Sequence, residues 1–447
     1  MTSPNKSTRL WSLARRSASP RLQAIIQQAI EETRMVGRTR QRRAVAMVVF
    51  KQSVDALLSD VLYAELEGYA GVTVRLSNSH LGRAANRYRT SIETQGLRAT
   101  VKALEAAGWL SVERGYQPRF FSLGASNRLA ERGAQGRLTV LQPGHRLRTL
   151  AATLERRDFK SDFTHHEVLI LKAARESFWE EAPVRDYPDT AETRRMRAEL
   201  IAINDWLEGL SIAAPVADIS NRHLRRVFNG SFTQGGRLFG GFWQNMAKAD
   251  RLNLLVSAET ISVVDYRQLY PRLLYHRAGA EPPFGDLYAI PGLSANEHAA
   301  CREGVKKALN ALVWSTPDRA DRYPKHVRQL MPKGVTWKQA VELIRQHHHP
   351  IAHLLGQGLG PDLMFTESRL LVAVLKACMD RDMPALPLHD AIIVPVSRAH
   401  EAKAVMEGTA EKLLGVRLPV SLSGLPRSGL AGDRLGGDSV RSGLVLA

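Results

Sequence analysis

Two short stretches constrain this chain more than any other feature: VVDYRQLYP around Asp265 and LPLHDAIIVP around Asp390. Each sets one aspartate against an apolar, β-branched run. Val263 and Val264 lead into Asp265; Leu388 leads into His389-Asp390, and Ile392, Ile393 and Val394 follow. Apolar runs of this length bounded by proline predict buried strands. A buried strand that delivers a carboxylate to its tip carries a charge that is costly unless a cation compensates it. A helical segment carrying arginine and lysine lies between the two strands. Carboxylates that can hold metals and a basic helix that can hold a triphosphate are the minimum equipment for two-metal phosphoryl transfer.

The charge of the chain points to a polyanionic partner. Over 447 residues the net charge is +18, and residues 1–150 hold 24 lysines and arginines against 10 acids. A surplus concentrated in one region favours nucleic acid over a merely solubilising basic surface. Cys301 and Cys378 are the only cysteines, which excludes a disulfide framework and a cysteine-based zinc site. Without an 18-residue apolar run or an apolar signal core, the expectation is a cytoplasmic protein with no membrane partner.

Residues 1–20, with SPNKST and RRSASP, read as a flexible basic arm, and residues 21–66 as helical with a basic run from Arg38 to Arg43. Leu76-Ser77-Asn78 precedes a short helix around Leu81, Ala84 and Ala85. Thr94 is placed to cap a second helix, with Leu97, Val101, Leu104 and Ala107 on one face. Gly108 ends that helix, and strands at Trp109–Gly115 and Arg119–Leu123 follow. This order resembles a winged helix-turn-helix domain, with Gln95, Arg98, Thr100 and Lys102 on the candidate recognition helix. The bland alternative is a packing module that never touches DNA. Residues 150–235 read as helix-rich, Met196, Leu200, Ile203 and Leu207 marking the clearest amphipathic run. His165-His166 and His347–His349 lack the carboxylate company of a metal site. The tail from Gly424 reads as flexible.

From Thr233 to Pro426 the order of segments resembles the palm and fingers of family A (Pol I-like) DNA polymerases. TQGGRLFGGFWQN is similar to the family's Thr-Gly-Arg segment, which implies that Arg237 reads the primer terminus. VVDYRQLYPRLL looks like motif A, implying Asp265 as a metal ligand and Arg272 at the family's arginine position. FGDLYAIPGL is similar to the family's next segment, with Asp286 retained and Tyr288 standing where histidine is usual. Arg302, Lys306, Asn310 and Trp314 repeat the spacing of motif B. Residues four apart share a helix face, so Arg302 and Lys306 can grip successive phosphates. The resemblance makes Lys306 the proton donor to pyrophosphate, with Lys307 its nearest rival. Phe365 to Lys376 looks like the helix before motif C, with Glu367 at a glutamine position. LPLHDAIIVP looks like motif C, a hairpin with the second metal ligand Asp390 at its tip and His389 among the DNA contacts. A helix from Arg398 to Leu414 capped by Ser397, then Gly415 and a strand from Val416 to Leu422, complete the pattern.

Ala391 stands where the family usually carries glutamate, and Asn310 where it carries a residue that packs on the nucleotide. Leu269-Tyr270-Pro271 resembles family B polymerases instead, implying that Tyr270 is a steric gate against ribonucleotides. The region before Arg237 leaves no room for a proofreading exonuclease beside the winged helix. The resemblance therefore implies an α+β protein. It would comprise a basic arm (1–20), a helical and winged-helix DNA-binding domain (21–150), a helical thumb-like region (151–235), a palm-type antiparallel sheet with helical fingers (236–423), and a tail (424–447). It further implies a DNA polymerase of a plasmid, phage or other mobile element. Its cofactor would be two Mg²⁺ ions, replaceable by Mn²⁺, and its partners primer-template DNA, a duplex origin site and dNTPs. Two alternatives compete: a primase or single-subunit RNA polymerase, separable by sugar preference, and a non-catalytic replication initiator with a degenerate palm, separable by primer extension.

Overall fold

The computed structural model describes residues 7–82, 86–116, 137–151, 153–164, 166–174, 182–214, 219, 221–294, 299–317 and 324–424. Two apolar cores organise them, one running from Leu22 to Phe159 and the other from Val168 to Val420. The architecture is α+β.

In the N-terminal unit, helix α1 (Pro20–Thr33) starts on a proline, and the Ser19 hydroxyl accepts the Leu22 amide. The expected helix over 21–66 breaks where the basic run lies, and α2 (Ala44–Leu66) resumes beyond it. From Phe50 onward α2 is buried on nearly every side, as a helix apolar all round must be. The N-terminal arm is not free from Ser7 on, which corrects the expectation of a flexible segment. It forms β1 (Arg9–Leu10) and β2 (Arg15–Ser17). The cause is Asp60, fully enclosed within α2. Arg9 closes on its carboxylate at 2.6 Å, Arg15 lies at 3.7 Å, and the Ser12 amide donates at 2.8 Å.

Strand β3 (Val72–Val74) precedes α3 (Asn78–Leu81) and α4 (Gln95–Ala106); β4 (Leu110–Glu113) and β5 (Thr139–Pro143) complete a sheet ordered β1-β3-β5-β4. Thr94 occupies the cap position of α4, and Leu97, Val101 and Leu104 are buried as the spacing predicts. Strand β4 pairs with β5; the Arg119–Leu123 segment expected as a strand, with Ala84, Ala85 and His165, lies outside the described residues. After α5 (His145–Ala151), β6 (Phe159–Ser161) pairs with β2 and closes the unit.

The region 151–235 is not the helical connector its composition suggests. Helix α6 (Ala191–Gly209) buries Met196, Leu200, Ile203 and Leu207, but β7 (Leu169–Lys172), β8 (Ile212–Ala213), β9 (Arg225–Asn229) and β10 (Ser231–Phe239) surround it in sequence. Short strands of mixed charge such as RRVFN escape a search for helical periodicity. Strand β9 joins β7 to β10, and α7 (Lys248–Arg251) follows.

The second sheet holds the aspartates. Strands β11 (Leu255–Val256) and β12 (Glu259–Tyr266) meet at Ser257-Ala258, both left-handed, the conformation a two-residue hairpin demands. Helix α8 (Leu269–Arg277) leads to α9 (Ala299–Trp314), α10 (Lys325–Arg328), α11 (Trp337–His347) and the long α12 (Gly360–Met379). Strands β13 (Leu386–Leu388) and β14 (Ala391–Pro395), helix α13 (Ala399–Leu414) and β15 (Val420–Ser423) end the described chain. Strand β12 sits between β14 and β15, antiparallel to both. Gly415 ends α13 in the left-handed conformation, as expected, but Ser397 does not cap that helix. Its amide and hydroxyl both donate to Glu259.

Candidate active site

Strand register brings the two aspartates together. Asp265 lies directly across from Ala391 on β14, so Asp390, one residue earlier at the hairpin tip, flanks it. The tip is a two-residue turn closed by Leu388 opposite Ala391, and His389 takes a left-handed conformation there (φ 60°). Edge strand β13 tolerates Pro387, whose carbonyl accepts from Trp243 at 2.8 Å and Gln244 at 3.2 Å; this fixes the hairpin from outside. On the other strand, Gln268 is also left-handed (φ 56°), swinging the chain from Asp265 into α8. Non-glycine residues held in this region cost of order 1 kcal/mol or more and recur at functional sites.

Burial and like charge act together on the two aspartates. Burial pushes the Asp265 carboxyl up, and neighbouring Asp390 pushes it further. Burial also raises Asp390, with the negative charge of Glu367 next. The ammonium of Lys306 is near enough to oppose both shifts. Oδ1 of Asp265 and Nδ1 of His389 are buried with no hydrogen-bond partner. Among the described residues no group of three or more His, Cys, Asp or Glu side chains forms a metal cage. Two carboxylates nevertheless suit Mg²⁺, which keeps several waters and relies on substrate phosphates for other ligands. The donor set therefore fits a divalent cation.

Glu367 is the principal residue that sequence reasoning left out of the site. It is buried in α12 and takes both ends of the Arg237 guanidinium, Nε to Oε1 at 2.6 Å and Nη2 to Oε2 at 2.8 Å. Arg237 Nη2 also donates to the Tyr270 hydroxyl at 3.2 Å. Gly235 and Gly236, both left-handed, make the irregularity in β10 that aims Arg237 at this pair. A carboxylate three positions ahead of the apolar run LLVAVLKAC, on the same helix, was the available signal, since a buried charge needs a partner.

The basic helix is partly engaged. Arg302 donates to Asp286 through Nε and, at 3.1 Å, through Nη2, and stands over the Tyr288 ring. Its charge is thus already matched, unlike that of an empty phosphate clamp. Among the described residues, the ion-pair partner of both Lys306 and Lys307 is Glu303, at 3.9 Å each. Asn310 is half-buried. Trp314 is 40% exposed and lies on Gly360, where a Cβ would come within 2.3 Å of the indole. Arg272 turns back to the Arg267 carbonyl at 3.2 Å, and Tyr288 is buried. In the N-terminal unit Gln95 and Lys102 are exposed, while Thr100 is buried and Arg98 donates to the Leu76 carbonyl between α3 and α4. His348, one of the three consecutive histidines, is a core residue between the Tyr275 hydroxyl and the Leu287 carbonyl.

No family model matches the chain, and no match is found among curated proteins. Among solved structures, the POL domain of Pol1 from M. smegmatis, in complex with DNA primer-template and dNTP, is similar at a TM-score of 0.34 and 12% identity. The match covers 52% of this chain and 50% of that one, so this chain spans about half the length of the structure it matches. A likeness this slight carries no argument, and the functional reading rests on the site itself. Among the described residues no helix is long and apolar enough to cross a membrane.

Proposed function

We propose that the chain is a template-directed DNA polymerase whose chemistry is nucleotidyl transfer at Asp265 and Asp390. The observation that carries this reading is the pairing of β12 with β14. It sets two half-buried, mutually repelling carboxylates side by side, with one buried oxygen, Oδ1 of Asp265, unpartnered. Asp265 and Asp390 would hold Mg²⁺, which when bound supplies charge for the triphosphate and acidity for the attacking hydroxyl. Lys306 is the residue placed to neutralise phosphate charge and to give a proton to the leaving pyrophosphate, while Arg302 remains tied to Asp286. Tyr270, whose hydroxyl accepts from Arg237, would act as the gate against a ribose 2′-hydroxyl in this reading. In the N-terminal unit, the order α2-β3-α3-α4-β4-β5 and the pairing of β5 with both β3 and β4 support a winged-helix reading. Its basic charge suits a duplex site such as the origin of a mobile element.

The test is single-nucleotide extension of a primed template by the full chain with Mg²⁺. Incorporation of the templated dNTP, absent in Asp265→Asn, is the expected result. DNA binding without incorporation would favour the initiator reading. Buried Ala391, opposite Asp265 and offering no further carboxylate, is the feature on that side. Preferential use of NTPs would favour the primase reading.

A further inference from the structure

On the other side of α12 from the aspartates, a cavity of about 260 Å³ opens between α6, β9 and α12. Arg226 forms part of its wall and is only 4% exposed. Its two hydrogen bonds go to neutral acceptors, the Gly236 carbonyl at 3.0 Å and the Ser368 hydroxyl at 2.9 Å. Among the described residues no carboxylate lies within ion-pair distance of it. Burial pushes Arg226 down to about 10, and the charges of Glu199 and Glu192, neither of them in ion-pair contact with it, only partly offset that shift. Arg195, Arg369 and Lys376 line the same cavity, against Glu192 and Glu199. Glu199 is already taken by Lys376 at 2.9 Å, which leaves three arginines facing one glutamate.

We infer that this cavity is an anion subsite that takes a phosphate group. Guanidinium forks match phosphate oxygens, and a group bound there would complete the coordination that Arg226 lacks. Phe365, whose ring lies 5.9 Å from the guanidinium carbons of both Arg226 and Arg369, holds the two cations to one wall. The subsite is coupled to the candidate active site by direct sequence neighbours. Gly236 precedes Arg237, and Ser368 follows Glu367, so phosphate on Arg226 would steady the backbone that carries the Arg237–Glu367 pair. The inference stands whether or not the chain polymerises DNA.

The experiment is thermal unfolding and hydrogen exchange of the full chain in phosphate against chloride at matched ionic strength. Phosphate is expected to raise the melting temperature by mass action and to slow exchange in Arg225–Asn229 and in α12. Because Arg226 also holds β10 and α12 together, the decisive variants are the exposed Arg369→Ala and Arg195→Ala. Each is expected to weaken phosphate binding about tenfold. Lys338→Ala, an exposed basic residue of α11 outside this lining, should leave it unchanged. Displacement of phosphate by a short single-stranded oligodeoxynucleotide would assign the site to a nucleic-acid backbone. Displacement by a deoxynucleoside monophosphate alone would assign it to a small ligand, and displacement by neither to inorganic phosphate. A phosphate effect equal in wild type and in the Arg195→Ala/Arg369→Ala double variant, protection confined to other segments, or no effect at all would overturn the inference.

Discussion

Asp60 in the N-terminal unit and the Asp265–Asp390 pair in the C-terminal one begin from the same difficulty, a carboxylate inside the protein, and resolve it in opposite ways. At Asp60 every direction is closed: Arg9, Arg15 and the Ser12 amide converge on one side chain, and the arm they belong to becomes part of the fold. Burial still raises the Asp60 carboxyl against the pull of Arg9, so the enclosure is tight rather than free of cost. At the β12–β14 tip the nearest strong cation, Arg237, is bound by Glu367 instead, and Lys306 acts only from a distance. A carboxylate closed by arginine holds structure together; two left open to each other are a place for a ligand.

The largest expected effects separate the two regions. Asp60→Ala strands two arginines in the interior and should cost about 3–5 kcal/mol, read as a shift in urea unfolding. Asp265→Ala or Asp390→Ala should abolish nucleotide incorporation, by a thousandfold or more on the order expected for lost transition-state charge stabilisation, without lowering the melting temperature. An Asp60→Ala protein as stable as wild type, or an Asp265→Ala protein that unfolds, would break the contrast.

A smaller effect follows from proton linkage. In the metal-free protein the folded Asp265–Asp390 pair binds a proton more readily than the unfolded chain does, since both carboxyls are raised. Its contribution to stability is therefore present at pH values below the ordinary carboxylate range and is lost as pH climbs through the raised folded values. Asp265→Asn should flatten that part of the pH–stability curve, and a curve with unchanged slope would show that the Asp265 carboxyl is not raised on folding.

Tyr270→Ala should raise ribonucleotide use relative to deoxyribonucleotide use on the order of 10- to 100-fold. Unchanged sugar preference in steady-state competition would move the gate elsewhere, Trp314 being next. The smallest effect belongs to the N-terminal surface. If about five or six basic groups displace counterions from duplex DNA, log affinity should fall against log salt with a slope of roughly −5. Lys102→Ala should reduce that slope by about one, and Arg98→Ala by less because its guanidinium is engaged with Leu76. Equal losses from both would mean that Arg98 leaves its carbonyl on binding.

What the residues disclosed depended on whether a signal was local. The β12 and β14 strands, helices α4 and α13 and the glycine stop at Gly415 follow from residue patterns within a few positions, whereas the hairpin tip and α12 were implied by the resemblance to family A polymerases. The docked arm was illegible because its reason, Asp60, lies some fifty residues away. The strands around α6 were hidden by their shortness and charge. In the site, the Asp265–Asp390 neighbourhood was readable from two strand tips, whereas the grip of Glu367 on Arg237 spans 130 positions and shows only as an odd carboxylate in an apolar helix. Asp286 was noticed, but not that it would occupy Arg302.

If the β12–β14 tip takes a divalent cation, titration of the full chain with Mn²⁺, followed by water proton relaxation, reads that binding without requiring turnover. Wild type should bind the ion, Asp265→Asn and Asp390→Asn should each lose that binding, and raising pH should strengthen it as the carboxyls shed their protons. Binding of equal strength in wild type and both variants would contradict the account.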